Sequence, residues 1–504
     1  MSRAKIYLRN LTANWVGYGL NLVIMFAMSP FVVHQLGDEK YGVWSLMVTM
    51  TGYLGLVEIG TRGGLGRFIN YYLGRDEFDN LNGTINTGLV IFLVIGVILL
   101  VASAVLIFVL GNLFPKIPPE ILPDARIILG LIALNVWFSF FNAVFRQIIT
   151  AFERFELVNL ADLLVLVVRS GSTVVALLYG YDLLALGIIH TSAGLLGLLT
   201  VYVMAMKIYP RLTLDLSLAS RAHFKELFGF SAWAFVGNLS YRLLYSADNI
   251  VIGILLGPKW LTYYSIGGML LYRSREFISQ AANIFAPKMI QDCATDNLQS
   301  LQSKFLRGSN LTMGVSILLY VGMLVFGREF IILWMGETFE ISYTILAILT
   351  ASSFLPAAFQ VGVPVYAGMN RVKLSAMLVL SQGLANLGLT LFLVMTLNMG
   401  IEGVAWGSFY PRIIWSIASG LIIMRMIELE KISFLKNLMS WILLASSFFL
   451  MCVSVNGLFV EPSWLNFAVK IAIVTALYFP LCWLFLLRGT EKQYVFVFCK
   501  KKFS

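Results

Sequence analysis

Apolar runs long enough to cross a bilayer recur from one end of this chain to the other, and they decide its class. A transmembrane helix needs about 20 consecutive, mostly apolar residues. Fourteen such runs can be marked, at 13–33, 41–60, 84–112, 127–147, 157–179, 183–207, 228–256, 261–287, 305–327, 341–367, 373–397, 402–425, 436–458 and 464–487. Apolar residues make up 59% of the 504 and charged residues 12%, where a soluble globular chain is about a quarter charged. The expected fold is an all-α polytopic membrane protein with fourteen transmembrane helices.

Basic residues set the expected orientation. With the N-terminus in the cytoplasm, the cytoplasmic segments hold 25 of the 36 Lys and Arg, and six lie inside spans. The opposite side has only Lys40, Lys116, Arg126, Lys259 and Arg328. That asymmetry follows the positive-inside rule, puts both termini in the cytoplasm and accounts for the net charge of +10 without invoking nucleic acid. A short basic head (Arg3, Lys5, Arg9) precedes an apolar run reaching Val33, too long for a cleavable h-region of about 7–15 residues. The first helix is therefore expected to be a signal-anchor. Exterior connections are short. Of the cytoplasmic ones, Thr61–Asn82 reads as a basic amphipathic helix lying at the interface. Lys470, near the outer end of its span, is expected to snorkel.

An internal repeat accompanies the spans. Ser29-Pro-Phe-Val-Val-His-Gln-Leu-Gly37 ends helix 1 much as Asn249-Ile-Val-Ile-Gly-Ile-Leu-Leu-Gly257 ends helix 7, and each precedes a polar turn and an aromatic-rich start. Both helices run outward, so helices 1–6 and 7–12 are expected to be parallel repeats about an axis along the membrane normal. The organisation that follows has five parts: residues 1–209, a six-helix bundle; 210–227, a cytoplasmic linker; 228–430, a second six-helix bundle; 431–488, two accessory helices; and 489–504, a basic tail.

Charges inside spans are costly, at least ~3 kcal/mol each on the insertion scale, and mark function by default. Arg242 and Arg273 fall at similar depth near the midplane, and Arg169, Arg275 and Arg412 also lie well inside spans. Acids at comparable positions are Asp162, Asp248 and Glu276, with Glu58 near the inner end of helix 2. The surplus of guanidinium suggests a buried place for an anion. Polar stripes at helical spacing, Asn14, Tyr18 and Asn21 on helix 1 and Asn238, Arg242, Tyr245 and Asn249 on helix 7, occupy the helices the repeat makes equivalent.

Plainer readings stand beside these. Arg273 and Glu276, at i and i+3, are spaced to neutralise one another. Asp248 is placed either to pair with Arg242 or Arg273, or to couple a proton or sodium ion. Asp162 and Arg169 are two turns apart, which favours partners on other helices. Arg412 follows Pro411, whose ring frees a backbone carbonyl that the arginine can cap. His190 reads as a hydrogen-bonded interhelical residue before a proton relay. Arg62, Arg67 and Arg146 line the cytoplasmic mouth, where Arg62 and Arg67 suit lipid headgroups.

Leu36-Gly-Asp-Glu-Lys-Tyr-Gly-Val-Trp44, Gly52-Tyr-Leu-Gly-Leu-Val-Glu-Ile-Gly60, Gly66-Arg-Phe-Ile69 and Asp248-Asn-Ile-Val-Ile-Gly-Ile-Leu-Leu-Gly257 resemble the polysaccharide (O-antigen, Wzx-type) flippases. These belong to the multidrug/oligosaccharidyl-lipid/polysaccharide exporter (MOP, MATE-like) superfamily. The resemblance covers essentially the whole chain. It implies a V-shaped pair of six-helix bundles with a terminal helix pair and a cavity lined by helices 1, 2, 7 and 8. It further implies translocation of an undecaprenyl-diphosphate-linked oligosaccharide to the outer leaflet of a bacterial inner membrane, in O-antigen or other surface-polysaccharide assembly. Polysaccharide polymerase and glycosyltransferases become the expected protein partners. Guanidinium suits a diphosphate because its planar fork binds phosphate oxygens in pairs. On that reading Arg242, Arg273 and Arg275 hold the diphosphate.

No motif points to catalysis. There is no P-loop, no Gly-x-Ser-x-Gly, no HExxH-type spacing and no CxxC pair among the four cysteines. The chain is expected to be a transporter rather than an enzyme, with neither cofactor nor metal. Three competitors are disfavoured, and of these a purely structural membrane partner would not explain five buried arginines. A drug or cation antiporter of the same fold should have an acidic lumen, and a glycan polymerase or ligase needs a long exterior loop.

Overall fold

The computed structural model describes residues 3–459 and 461–486. Helices make up most of this stretch, and among the described residues no strand occurs. The chain forms two compact units, Met1–Thr262 and Tyr263–Ser504.

The first unit contains α1 (Arg3–Leu36), α2 (Asp38–Leu54), α3 (Leu56–Leu73), α4 (Phe78–Leu113), α5 (Leu122–Ala151), α6 (Phe155–Leu178), α7 (Leu183–Ile208) and α8 (Arg221–Leu255), and ends within α9 (Pro258–Asn283). Helices α1 and α8 stop at Gly37 and Gly257, whose φ values of 78° and 105° lie in the left-handed region glycine tolerates. These are the two glycines the sequence repeat aligns. Each ends a helix in the same way, and the next begins at once, at Asp38 or Pro258. A β-carbon on Gly42 would stand 1.9 Å from the carbonyl oxygen of Pro258, so α2 and the start of α9 pack backbone to backbone there.

The stretch Thr61–Asn82 corrects an expectation. It is not one separate helix, being divided between α3, which ends at Leu73, and α4, which begins at Phe78. Instead α2 bends at Gly55 and continues as α3, which packs on α4, α5 and α8. Leu65 and Ile69 of α3 are buried in one core with Leu81, Ile85, Phe92, Phe140 and Ile148. Phe92 stacks on Phe140 at 5.5 Å. The outer face of α4 is apolar as well, with Phe108 81% and Ile98 63% exposed. A helix apolar on both its buried and its exposed face is built for lipid rather than water.

The segment between α7 and α8 is held as a strap. Asn82, Asn86 and Thr87, spaced i, i+4 and i+5 on α4, all face it and are all buried. Asn82 Nδ2 donates to the Arg211 carbonyl (3.0 Å), and Asn86 Nδ2 to that of Thr213 (2.7 Å). Asn86 Oδ1 accepts from the Asp215 amide (3.0 Å) and Thr87 Oγ1 from the Ser220 amide (3.1 Å). Ser220 then caps α8. In the strap, Asp215 accepts from Ser217, whose hydroxyl and amide hold the carboxyl below its ordinary value.

The second unit continues through α10 (Ala286–Ala294), α11 (Leu298–Met335), a broken span of α12 (Glu340–Ala351), α13 (Phe354–Phe359) and α14 (Val363–Gly368), then α15 (Val372–Met395), α16 (Gly400–Met426), α17 (Lys431–Leu458) and α18 (Trp464–Phe485). Helices α17 and α18 are fixed to α11 by polar contacts within an apolar seam. Trp441 Nε1 donates to Asn310 Oδ1 (2.9 Å), and the Tyr478 hydroxyl donates to the Gly314 carbonyl (2.5 Å). Lys470 does not snorkel. It is 2% exposed and bonds Glu329 Oε2 at 2.8 Å and Asn456 Oδ1 at 3.0 Å. A carboxylate on the neighbouring helix removes the reason for the amine to seek water.

Ten helical stretches among the described residues are long and apolar enough to cross a membrane. The fourteen marked from the sequence include α2–α3, α8, α9 and α16, which lie outside those ten.

Candidate functional site

In the first unit, α8 lays its polar stripe along α2. Thr49, Gly52 and Tyr53 occupy i, i+3 and i+4, one face of α2. Asn249 Nδ2 donates to Thr49 Oγ1 (3.1 Å), and the Tyr53 hydroxyl donates to the backbone carbonyl of Arg242 (3.1 Å). These two contacts fix the rotation of α8 about its axis. They bring the Arg242 guanidinium over Gly52, where a β-carbon would stand 2.8 Å from Nη1. Among the described residues no carboxylate pairs with Arg242. Asp248 is buried at 5% exposure on the same helix, and both it and Arg242 act electrostatically on Tyr53. The arrangement is a half-buried guanidinium whose fork is not used up, with a buried carboxylate less than two turns away.

A second polar region lies between α5, α6 and α7. Asn135, Ser139, Asn142, Arg146 and Asp162 line a cleft of about 120 Å³ whose floor is made of Ala161, Ala193, Gly194 and Gly197. Asp162 takes both forks of Arg146, at 2.6 and 2.8 Å. That is the cross-helix partner the spacing to Arg169 anticipated. Arg169, on α6, pairs with no carboxylate among the described residues. His190 meets Trp44 edge to face at 5.6 Å, and its carbonyl accepts from Asn135 (2.9 Å).

In the second unit the cations are engaged. Arg273 Nη1 donates to Glu276 Oε2 at 2.8 Å, the neutralising pair one helical turn long. Arg275 is half-buried on the same helix. Arg412 is 4% exposed, and its Nη1 donates to Ser352 Oγ at 2.9 Å and reaches the Leu349 carbonyl and Ser353 Oγ at 3.4 Å. It thus caps the end of α12 at the helix break.

Asn21 is half-buried on α1, and Arg67 is exposed on α3 beside Phe68. The side chains of Asn14, Tyr18, Glu58, Arg62, Asn238 and Tyr245 lie outside the described residues. Sequence reasoning missed Gly52, Tyr53 and Thr49, which set Arg242, and the Asn82–Asn86–Thr87 stripe. The stripe had a signal: three amide or hydroxyl side chains on one face at the start of an apolar run.

Residues 35–344 match the family of polysaccharide biosynthesis proteins. A proposed O-antigen transporter of Shigella flexneri is 22% identical over 410 residues, covering 79% of this chain and 94% of its own. The uncharacterised membrane protein EpsK of Bacillus subtilis is 20% identical over 491 residues, covering 96% of each chain. Among solved structures, the lipid II flippase MurJ in an inward closed conformation superposes with a TM-score of 0.68 at 16% identity, over 95% of this chain and 98% of that one. An inward-facing multidrug resistance MATE transporter of the MOP superfamily gives 0.66 at 14% identity, over 81% and 94%. The matched proteins are named as transporters and flippases, not enzymes, apart from EpsK. Its span-forming helices and its matched residues together place the chain in the polysaccharide biosynthesis protein family, as a multi-pass membrane protein with a MATE- and MurJ-like fold.

Proposed function

We propose that the protein is a flippase carrying an undecaprenyl-diphosphate-linked oligosaccharide from the cytoplasmic to the outer leaflet of a bacterial inner membrane, for surface-polysaccharide assembly. The single observation that carries this reading is Arg242. Its guanidinium rests on Gly52 midway along α8, and no described carboxylate neutralises it. An arginine in such a place has a cost of at least ~3 kcal/mol, which an anionic substrate group would offset. The diphosphate of a lipid-linked glycan is anionic where lipid cannot solvate it, and a guanidinium fork binds its oxygens in pairs. Arg273 is already held by Glu276 and must exchange a carboxylate for a phosphate to take part. Arg242 therefore leads.

Transport follows alternating access, the mode that repeat-built transporters use. Asp248, buried and acidic, is the candidate for coupling to a proton or sodium gradient. Family membership and the Shigella relative support the glycan class of substrate, and the likeness to MurJ supports the fold needed to move it. A cation antiporter would leave Arg242 without a purpose.

The test replaces Arg242 by Ala and by Lys and follows surface-glycan assembly at matched membrane levels. Arg242→Ala should abolish assembly. Arg242→Lys should restore part of it, since the charge remains and the fork is lost. Normal assembly by Arg242→Ala would sink the anion-site reading.

A further inference from the structure

Where the strap meets α4 and α8, the first unit has a groove of about 420 Å³ between the two helices. Its walls are Val90, Ile91, Val94 and Ile95 of α4 and Phe224 of α8, and Arg221 stands at its end. The strap beside it exposes Leu214, Leu216 and Leu218 at 45%, 58% and 40%, and Phe224 is 42% exposed. Alternate leucines turned outward from a segment whose backbone is bonded to α4 are placed to enter an acyl layer, not to fold inward. Arg221, in the groove lining, and Lys225, one turn further along α8, are both exposed.

The order of chemistry along the groove is that of one phospholipid. From Val90 the apolar track continues up α4 through the exposed Val94, Val97, Ile98 and Val101. Eleven residues of helix rise about 16 Å, close to half of a hydrocarbon core ~30 Å thick. At its lower end the track meets Arg221, at the first turn of α8, where a helix's own amides favour an anion. We propose that this groove is a binding site for a single anionic phospholipid, its acyl chain on α4 and its phosphate on Arg221. The basic flank gives the charge complementarity that selects an anionic headgroup over a zwitterionic one. The site is separate from Arg242 and holds whether or not the transport reading does.

The test uses the full-length protein, delipidated in detergent and titrated with phosphatidylglycerol or phosphatidylcholine of identical acyl chains, with bound lipid read by native mass spectrometry. Wild type should hold phosphatidylglycerol more tightly. Arg221→Gln should weaken phosphatidylglycerol binding about fivefold, one basic residue's contribution at an anionic surface, and leave phosphatidylcholine unchanged. Val94→Trp, which fills the groove from an exposed position, should reduce retention of both. Equal retention of the two lipids by wild type, or an unchanged preference in Arg221→Gln, would overturn the proposal. So would full lipid retention by Val94→Trp.

Discussion

At the scale of single residues, depth along a helix was readable and direction was not. Arg242 was locatable because its place in an apolar run follows from counting residues. That it faces α2, and rests on Gly52, depends on Thr49 and Tyr53 setting the rotation of α8. No periodicity in one helix encodes the register of two. This gives a prediction at Gly52. A Gly52→Val side chain would occupy the space of Nη1, and because the arginine tip is flexible it should swing away rather than unfold the unit. Membrane levels should stay near wild type while glycan assembly falls about tenfold or more, the 1.4 kcal/mol scale of one lost charge-assisted hydrogen bond. Arg412 shows the reverse case. Its partners lie on α12, where the helix break at Ser352 and Ser353 exposes the Leu349 carbonyl. Arg412→Ala should cost about 1.5–3 kcal/mol of stability by removing the buried charge-assisted hydrogen bond to Ser352 Oγ, read as a lower unfolding temperature in detergent.

At the scale of helices and connections, the apolar runs were legible almost throughout, and the polar exceptions were where reading failed. Thr61–Asn82 looked interfacial because Arg62, Arg67 and Arg75 dominate its charge. Leu65 and Ile69 bury one face of it in the core, and the charge count outweighed that face. Lys470 looked like a snorkelling residue because Glu329 is 141 positions away in sequence. Replacing Lys470 by Met should strip the partner from a nearly buried carboxylate and cost about 3–5 kcal/mol. The double variant Lys470→Met with Glu329→Met should recover much of that loss, measured by thermal unfolding. The strap makes a second prediction. Asn86→Ala removes both bonds to residues 213 and 215, so amide exchange across 211–220 should quicken while exchange in α5 does not change. Asp215 adds a pH dependence of definite sign. Its carboxyl is held below the ordinary value by Ser217, so its contribution is complete above the usual carboxylate range near 4. Strap protection should be flat from neutral pH down to that range and fall only as acid passes below it.

At the scale of the whole molecule, fold class and family were visible from the apolar runs and the Leu36–Ile69 and Asp248–Gly257 motifs. The distribution of available charge was not. Of the five arginines well inside spans, four follow residue 228 in the sequence. In the structure Arg273 and Arg412 are engaged by neighbours in the second unit. Arg242 and Arg169, which no described carboxylate pairs, both belong to the first. On the proposed function, substrate handling belongs to the first unit and gradient coupling to Asp248. Asp248→Asn should make translocation indifferent to collapse of the coupling gradient, whereas wild type should slow. The most direct measurement reconstitutes the purified protein into liposomes with an undecaprenyl-diphosphate-linked oligosaccharide and follows its arrival in the opposite leaflet with a membrane-impermeant glycosidase. Wild type should make the glycan accessible, Arg242→Lys slowly and Arg242→Ala at the rate of protein-free liposomes. Translocation by Arg242→Ala at the wild-type rate, or none by wild type with the gradient imposed, would contradict the account.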